Sequence, residues 1–360
     1  MTEVQWGLEG VVAFETQIAE PDRDGGSLRY RGVDIEELVG HVPYEQVWGL
    51  LVDEQLEPGL PPSDYIASGL TGDHMPDLQA ATARLSAEWK LGKIIDISDE
   101  QAKDDLRRLS SAMIAIVAQS ARVADGKTDK VGRATIDQGA TLAERFLLEW
   151  KGEADPKHAR AIDTYWICTA EHGVNASTFT GRVVASTGAD CGAAMSAAVG
   201  ALSGPLHGGA PARVLPMLDG AAASGNVEQY VKGLLDAGDR MMGFGHRVYR
   251  AEDPRARLLR RTAKELGAER FEIAEELERV ALAELHARKP DRVLATNVEY
   301  WSAVVLDCAL VPGPLAPAMF GASRTGGWSA HILEQKRQAK LIRPSAIYVG
   351  PPTRPLAALR

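Results

Sequence analysis

From residue 44 onward the apolar residues of this chain return every three or four positions, and no run alternates for long enough to build a sizeable sheet. That period puts one face of each segment against a core, so the chain is expected to fold as an all-α protein. The spacing predicts helices over 44–56, 101–125, 131–150, 156–171, 176–187, 193–203, 254–266, 269–288, 297–310 and about 325–340. Leu106, Leu109, Met113, Ile116 and Val117 show the pattern within the second of these. Prolines punctuate it: Pro58 follows the first helix, Pro344 ends the last, and Pro351, Pro352 and Pro355 keep the tail non-helical. Residues 1–40 read instead as extended and turn-rich, with Gly25 and Gly26 at a turn and Leu28, Tyr30 and Val33 in short alternation. Small residues crowd 188–210, which lets helices approach closely and marks that stretch as central. A chain of 360 residues with no low-complexity linker suggests two packed lobes.

Charge and cysteine content narrow the function classes. Forty basic against forty-nine acidic residues leave a net charge of −9, a poor match to nucleic acid or to an anionic membrane. The longest apolar stretches, around 113–118 and 193–202, are too short to span a bilayer. Met1 to Gly10 has neither a basic start nor an apolar stretch, so no signal peptide is expected and the cytoplasm is the expected location. Cys168, Cys191 and Cys308 are far apart and form no metal or redox spacing, so they are expected to be buried free thiols.

Three segments carry unusual chemistry. His207 sits in GPLHGGA, after Pro205 has stopped the small-residue helix and before two glycines that let a ligand approach the backbone. An imidazole at such a junction can be held in one tautomer by backbone groups. His246 sits in GFGHRVYRAEDPRA, where glycine-turn amides can meet an adenine edge or an anion, and where Arg247, Arg250, Arg255 and Arg257 can meet carboxylates or phosphates. Asp253 with Pro254 reads as the capped start of a helix. Glu299 sits in TNVEYWS. Alone, Thr296 followed by Glu299 reads first as a capping box, although a helix N-terminus also favours an ionised carboxylate fit to act as a base. His172, Arg324 and Arg343 alone read as surface or packing residues.

Taken together, these segments resemble the citrate synthase family. GGSLRYRGVDIEEL, EHGVNASTFT, GPLHGGA, GFGHRVYRAEDPRA, TNVEYWS, SRTGGWSAHILEQ and RPSAIYVG follow one another in family order along nearly the whole chain. The resemblance implies an all-α homodimer. Each subunit would have a large domain, 1–210 with 311–360, and a smaller mobile domain, 211–310. It places His207, His246 and Glu299 on the catalytic positions, and His172, His246, Arg255 and Arg324 on those that hold oxaloacetate. It places Arg343 on the arginine that reaches into the neighbouring subunit's site, and Met242, Gly243, Phe244, Gly245 and Arg250 near the CoA. The implied activity joins acetyl-CoA, as co-substrate, to oxaloacetate and water, with no metal and no permanently bound cofactor. Two alternatives stand beside it: 2-methylcitrate synthase, which uses propionyl-CoA and would share these residues, and a weakly active regulatory paralogue, which would keep the arginines and lose the base, with Glu299 the one feature in its favour. Departures from the family pattern are Glu299 where Asp is usual, Glu171-His172-Gly173 for Asp-His-Glu, and Pro211 for Asn.

Overall fold

A computed structural model describes residues 4–8, 10–22, 26–127, 129–207, 213–245, 252–290 and 294–359. Three short strands open the fold as an antiparallel sheet in the order β1 (Ala19–Pro21), β2 (Leu28–Tyr30), β3 (Val33–Asp34), with Ala19 opposite Tyr30 and Arg29 opposite Asp34. The rest of the regular structure is helical: α1 (Ile35–Leu38), α2 (Tyr44–Asp53), α3 (His74–Glu88), α4 (Asp99–Ala124), α5 (Arg133–Ile136), α6 (Leu142–Lys151), α7 (Pro156–Thr169), α8 (Ala176–Ser186), α9 (Cys191–Leu202), α10 (Val214–Ser224), α11 (Val227–Asp236), α12 (Pro254–Glu265), α13 (Phe271–Arg288), α14 (Val298–Cys308) and α15 (Ala316–Gln338). Side-chain caps start the helices nearest the chemistry. Asp155 caps α7 ahead of Pro156, Asn175 caps α8, Asp190 caps α9 and Asp253 caps α12 ahead of Pro254.

Two helices differ from the periodicity. The stretch 131–150 is not one helix but α5 and α6, because Thr141 and Glu144 form a reciprocal capping box that starts a new helix inside it. The last helix begins at Ala316, well before the expected 325, because Pro317 sits in its first turn, where a missing N–H costs nothing. Helices α1, α3, α10 and α11 lie outside the stretches that the periodicity marked as helical.

α4 and α15 pack on each other and bury much of their length in the core. α15 packs on α2, α4, α7, α8 and α9, and carries Arg324, Trp328 and His331 on its buried surface. The small-residue helix α9 lies against α8 and α3, as expected of 188–210: a Cβ on Gly192 would stand 2.2 Å from Ser86 Oγ. Tyr30 ties the sheet to α7 through a hydroxyl that donates to the Ile167 carbonyl at 3.0 Å. α10, α11, α13 and α14 pack among themselves, and α12 lies on α14. α7 touches α12 and α14 on one side and α6 and α15 on the other. Cys168 and Cys191 are buried free thiols, whereas Cys308 is only half-buried. No helix among the described residues is long and apolar enough to cross a membrane.

Candidate active site

His207 lies five residues beyond the end of α9, half-buried, in a turn closed by its own N–H to the Gly204 carbonyl at 2.9 Å. Its Nε2 faces the start of α8. The Ser177 backbone N–H points at Nε2 from 3.3 Å, and Ser177 Oγ lies 2.9 Å away. A backbone N–H can only donate, so Nε2 must hold its lone pair and the ring proton must sit on Nδ1. Ser177 is itself fixed by Asn175, which caps α8 and accepts the Ser177 hydroxyl at 2.8 Å, and by Trp328, whose indole N–H donates to Oγ at 3.2 Å. Burial, and then the positive charge of Arg324, push the His207 imidazole down to about 4, so the ring is neutral at physiological pH. Sequence reasoning missed Ser177 as the partner of His207: the Asn175 cap marks the start of α8 but not the contact to a residue 30 positions away.

Arg324 stands one turn along α15 from Phe320. Its guanidinium carbon lies 4.7 Å from the centre of the Phe320 ring, and that ring meets His207 edge-on at 6.5 Å. Arg324 is 3% exposed, and its Nε and Nη1 have no hydrogen-bond partner among the described residues. Burial pushes it below the ordinary guanidinium range, and the carboxylate of Glu171 offsets part of that. A buried cation with two open donors is costly unless an anion reaches it. Glu171 is wholly buried and lies 3.2 Å from His331 Nε2. Its carboxylate rests on α15 where a Cβ at position 327 would come within 2.1 Å of Oε2, so the longer acid is accommodated because residue 327 is glycine. His172, the next residue, is half-buried in the turn between α7 and α8.

Glu299 is the second residue of α14. The expected capping box is absent. Asn297 is the cap, its side chain accepting the Glu299 N–H at 3.0 Å, while the buried Thr296 hydroxyl has no partner. The Glu299 side chain is therefore not consumed in closing the helix start. Burial raises its pKa, the charge of Arg255 lowers it and that of Asp253 raises it again. A base with a raised pKa is better matched to abstracting a proton near neutral pH. Arg255, 2% exposed on α12, lies within electrostatic reach of both Glu299 and Arg324. The buried Tyr165 of α7 is within reach of Arg324 and Glu299 together. Side chains from the turn after α9, from α12, from α14 and from α15 thus lie within electrostatic reach of one another.

Gly243, Phe244 and Gly245 pair with the segment that leads into α14, and Met242 packs half-buried against the core. Phe244 bridges Thr296, the Gly243 carbonyl accepts the Asn297 N–H at 2.9 Å, and the Gly245 N–H donates to the Ala295 carbonyl at 2.8 Å. This last bond commits one of the amides that the sequence suggested for an adenine edge. Gly243 has φ +86°, and a Cβ there would lie 2.7 Å from the Tyr300 side chain, so only glycine fits. Arg257 is engaged on the surface by Glu36 and by Glu252. Arg343 lies exposed on the tail beyond α15. His246, Arg247 and Arg250, with Pro211, lie outside the described residues.

With this geometry in hand, comparison with known proteins is specific. Residues 7–345 match the family described as "Citrate synthase, C-terminal domain". The chain is 57% identical over 347 residues to "Putative citrate synthase 2" of Mycobacterium tuberculosis (strain ATCC 25618 / H37Rv), covering 96% of this chain and 92% of that protein. It is 34% identical over 371 residues to the citrate synthase of Haloferax volcanii, covering 97% and 96%. Its fold is similar to that of the citrate synthase of Thermoplasma acidophilum in its ternary complex with carboxymethyl coenzyme A and oxaloacetate, with a TM-score of 0.85 at 27% identity over 99% of this chain and 100% of that one.

Proposed function

The chain belongs to the citrate synthase family, enzymes that transfer acyl groups, and from that premise we propose that it condenses acetyl-CoA with oxaloacetate and water to give citrate and free CoA. The observation that carries the proposal is the pinned, neutral His207, within electrostatic reach of a buried Arg324 with two open donors, which Arg255 links to a carboxylate free of capping duty.

A thioester methyl group is a weak carbon acid. Removing its proton takes a positioned base and a donor at the thioester oxygen, where negative charge grows. Glu299 takes the proton, and His207 donates from Nδ1 to the oxygen. The enol carbon then attacks the 2-oxo carbon of oxaloacetate, and His246 supplies a proton to the oxygen of that carbonyl. Water hydrolyses the citryl thioester and releases CoA. Arg255 and Arg324, with His172, hold the carboxylates of oxaloacetate, since guanidinium groups meet carboxylates in bidentate geometry. Met242 to Gly245 and Arg250 line the approach of CoA.

The proposal extends to assembly. Residues 211–310 form the smaller domain, which closes on 1–210 and 311–360. The packing of α10 to α14 among themselves supports this division. Two copies form the dimer, and Arg343 reaches from one into the other's cleft. Tyr348 and Val349 on the same tail are 78% and 90% exposed, apolar surface that a partner would cover. One observation favours a second reading, a weakly active regulatory paralogue: Glu299 is one methylene longer than the usual acid. The test is release of CoA thiol on mixing oxaloacetate with acetyl-CoA and, separately, with propionyl-CoA. Turnover with acetyl-CoA is expected to exceed that with propionyl-CoA. The reverse order makes the enzyme a 2-methylcitrate synthase, and no release with either donor supports the paralogue.

A further inference from the structure

Asp253 begins as an ordinary helix cap, accepting the Arg255 N–H at 3.0 Å through Oδ1 at the start of α12. Three further contacts exceed that role. Oδ1 accepts Arg255 Nε at 2.9 Å, Oδ2 accepts Arg255 Nη2 at 2.8 Å, and Oδ2 accepts the backbone N–H of Val298 at 3.1 Å. Val298 opens α14 and is the neighbour of Glu299. A carboxylate offers about four acceptor positions, and these contacts use about that many. Asp253 is wholly buried, whereas a cap at a helix start needs one acceptor and no burial.

We propose that Asp253 is a positioning residue for the condensation: one carboxylate fixes both the guanidinium of Arg255 and the first turn of α14 that carries Glu299. The proposal rests on the functional reading of the cleft given above. Two groups 44 positions apart in sequence (299 − 255), one for the acceptor and one for the proton, are thereby held in a single rigid unit. Charge-assisted hydrogen bonds are short and directional, so the unit resists displacement when a substrate carboxylate draws on Arg255. The charge of Asp253 also reaches Glu299, where it favours the protonated acid.

Two variants separate the two arms. Asp253→Asn keeps a side chain that caps helices about as well, but its amide cannot accept on both sides. Val298→Pro removes the N–H that Asp253 accepts and exchanges the half-buried valine side chain for the apolar proline ring. Proline suits the first helical position, and Asn297 before it already has the extended backbone (φ −97°, ψ 175°) that proline requires of its predecessor. Oxaloacetate affinity is read by calorimetry, kcat by CoA release, and folding by circular dichroism. For Asp253→Asn, oxaloacetate binding should weaken about 10-fold or more, the loss of a hydrogen-bonded charge contact. For Val298→Pro, oxaloacetate affinity should stay within about two-fold while kcat falls at least about ten-fold, short of the roughly 10²-fold that a 1 Å misplacement can cost. A folded Val298→Pro enzyme with wild-type kcat, or Asp253→Asn with wild-type oxaloacetate affinity, overturns the proposal. Should Asp253→Asn fail to fold, Val298→Pro decides alone. A wild-type chain that binds oxaloacetate but releases no CoA instead overturns the functional reading, and the Asp253→Asn affinity still decides the Arg255 arm.

Discussion

The backbone N–H of Ser177 points at Nε2 of His207 from 3.3 Å, and this one contact assigns the ring proton to Nδ1. As a donor to a developing enolate oxygen, such a group is typically worth about 10²–10³ in rate, so His207→Ala should lose about that much kcat while remaining folded. Ser177→Ala keeps the backbone N–H and removes only the hydroxyl, and is expected to lose far less. Equal losses in the two variants, measured by CoA release, would mean that the hydroxyl and not the backbone sets the tautomer.

The neutral state of His207 has a consequence for stability. The imidazole is lowered from 6.5 to about 4 in the folded chain. Between those values the unfolded chain carries a proton that the folded chain does not, so stability falls as pH drops from 6.5 toward 4 and is unaffected by this group above that window. Urea midpoints measured across pH 4–7 should fall more steeply for the wild type than for His207→Gln. Parallel curves would show that the ring titrates normally in the folded protein.

Arg324 presents two buried donors without partners among the described residues, and an anion that supplies them should stabilise the fold. Oxaloacetate at 100 times its Kd is expected to add about 2.7 kcal/mol, seen as a rise in Tm. Arg324→Gln should abolish that rise. A Tm shift of the same size in the variant would remove Arg324 from the ligand site.

Arg343 is exposed on the tail of a single chain, and the shared-site reading gives it work only in a dimer. Arg343→Ala and His246→Ala chains should each be nearly inactive alone. Re-formed hybrids then hold one site lacking both groups and one intact site, and activity should return. Proven heterodimers without recovery would place Arg343 outside the neighbouring cleft.

Helix identity was largely legible because the period that builds a helix also exposes it. Boundaries depended on single side chains. Periodicity ran straight through 131–150, where Thr141 and Glu144 restart the helix, and missed the first turns of the last helix, which starts at Ala316 with Pro317 in its first turn. Thr296 looked like the cap for Glu299, but Asn297 lies one residue nearer and its shorter reach to the Glu299 N–H wins. Side chains that converge from distant segments left less trace. Asp253 read only as a cap, since its bond to Val298 spans 45 residues and has no local signature. The need for glycine at 327 is set by the Glu171 carboxylate, on a different segment.

The central claim is that Glu299 is the working base. Burial raises its pKa, and Asn297 has taken over the cap, so its carboxylate has no local structural task. Glutamate reaches further than aspartate, and a misplacement of about an ångström can cost roughly 10²-fold, so a cleft built around Glu299 should lose turnover in Glu299→Asp as well. The most direct measurement is exchange of the acetyl-CoA methyl protons with solvent in the presence of an oxaloacetate analogue that cannot condense, comparing wild type with Glu299→Gln. The wild type should exchange, and the glutamine variant, folded to the same Tm, should not. Exchange at the wild-type rate in Glu299→Gln would contradict the assignment and leave the carboxylate without a role in the chemistry.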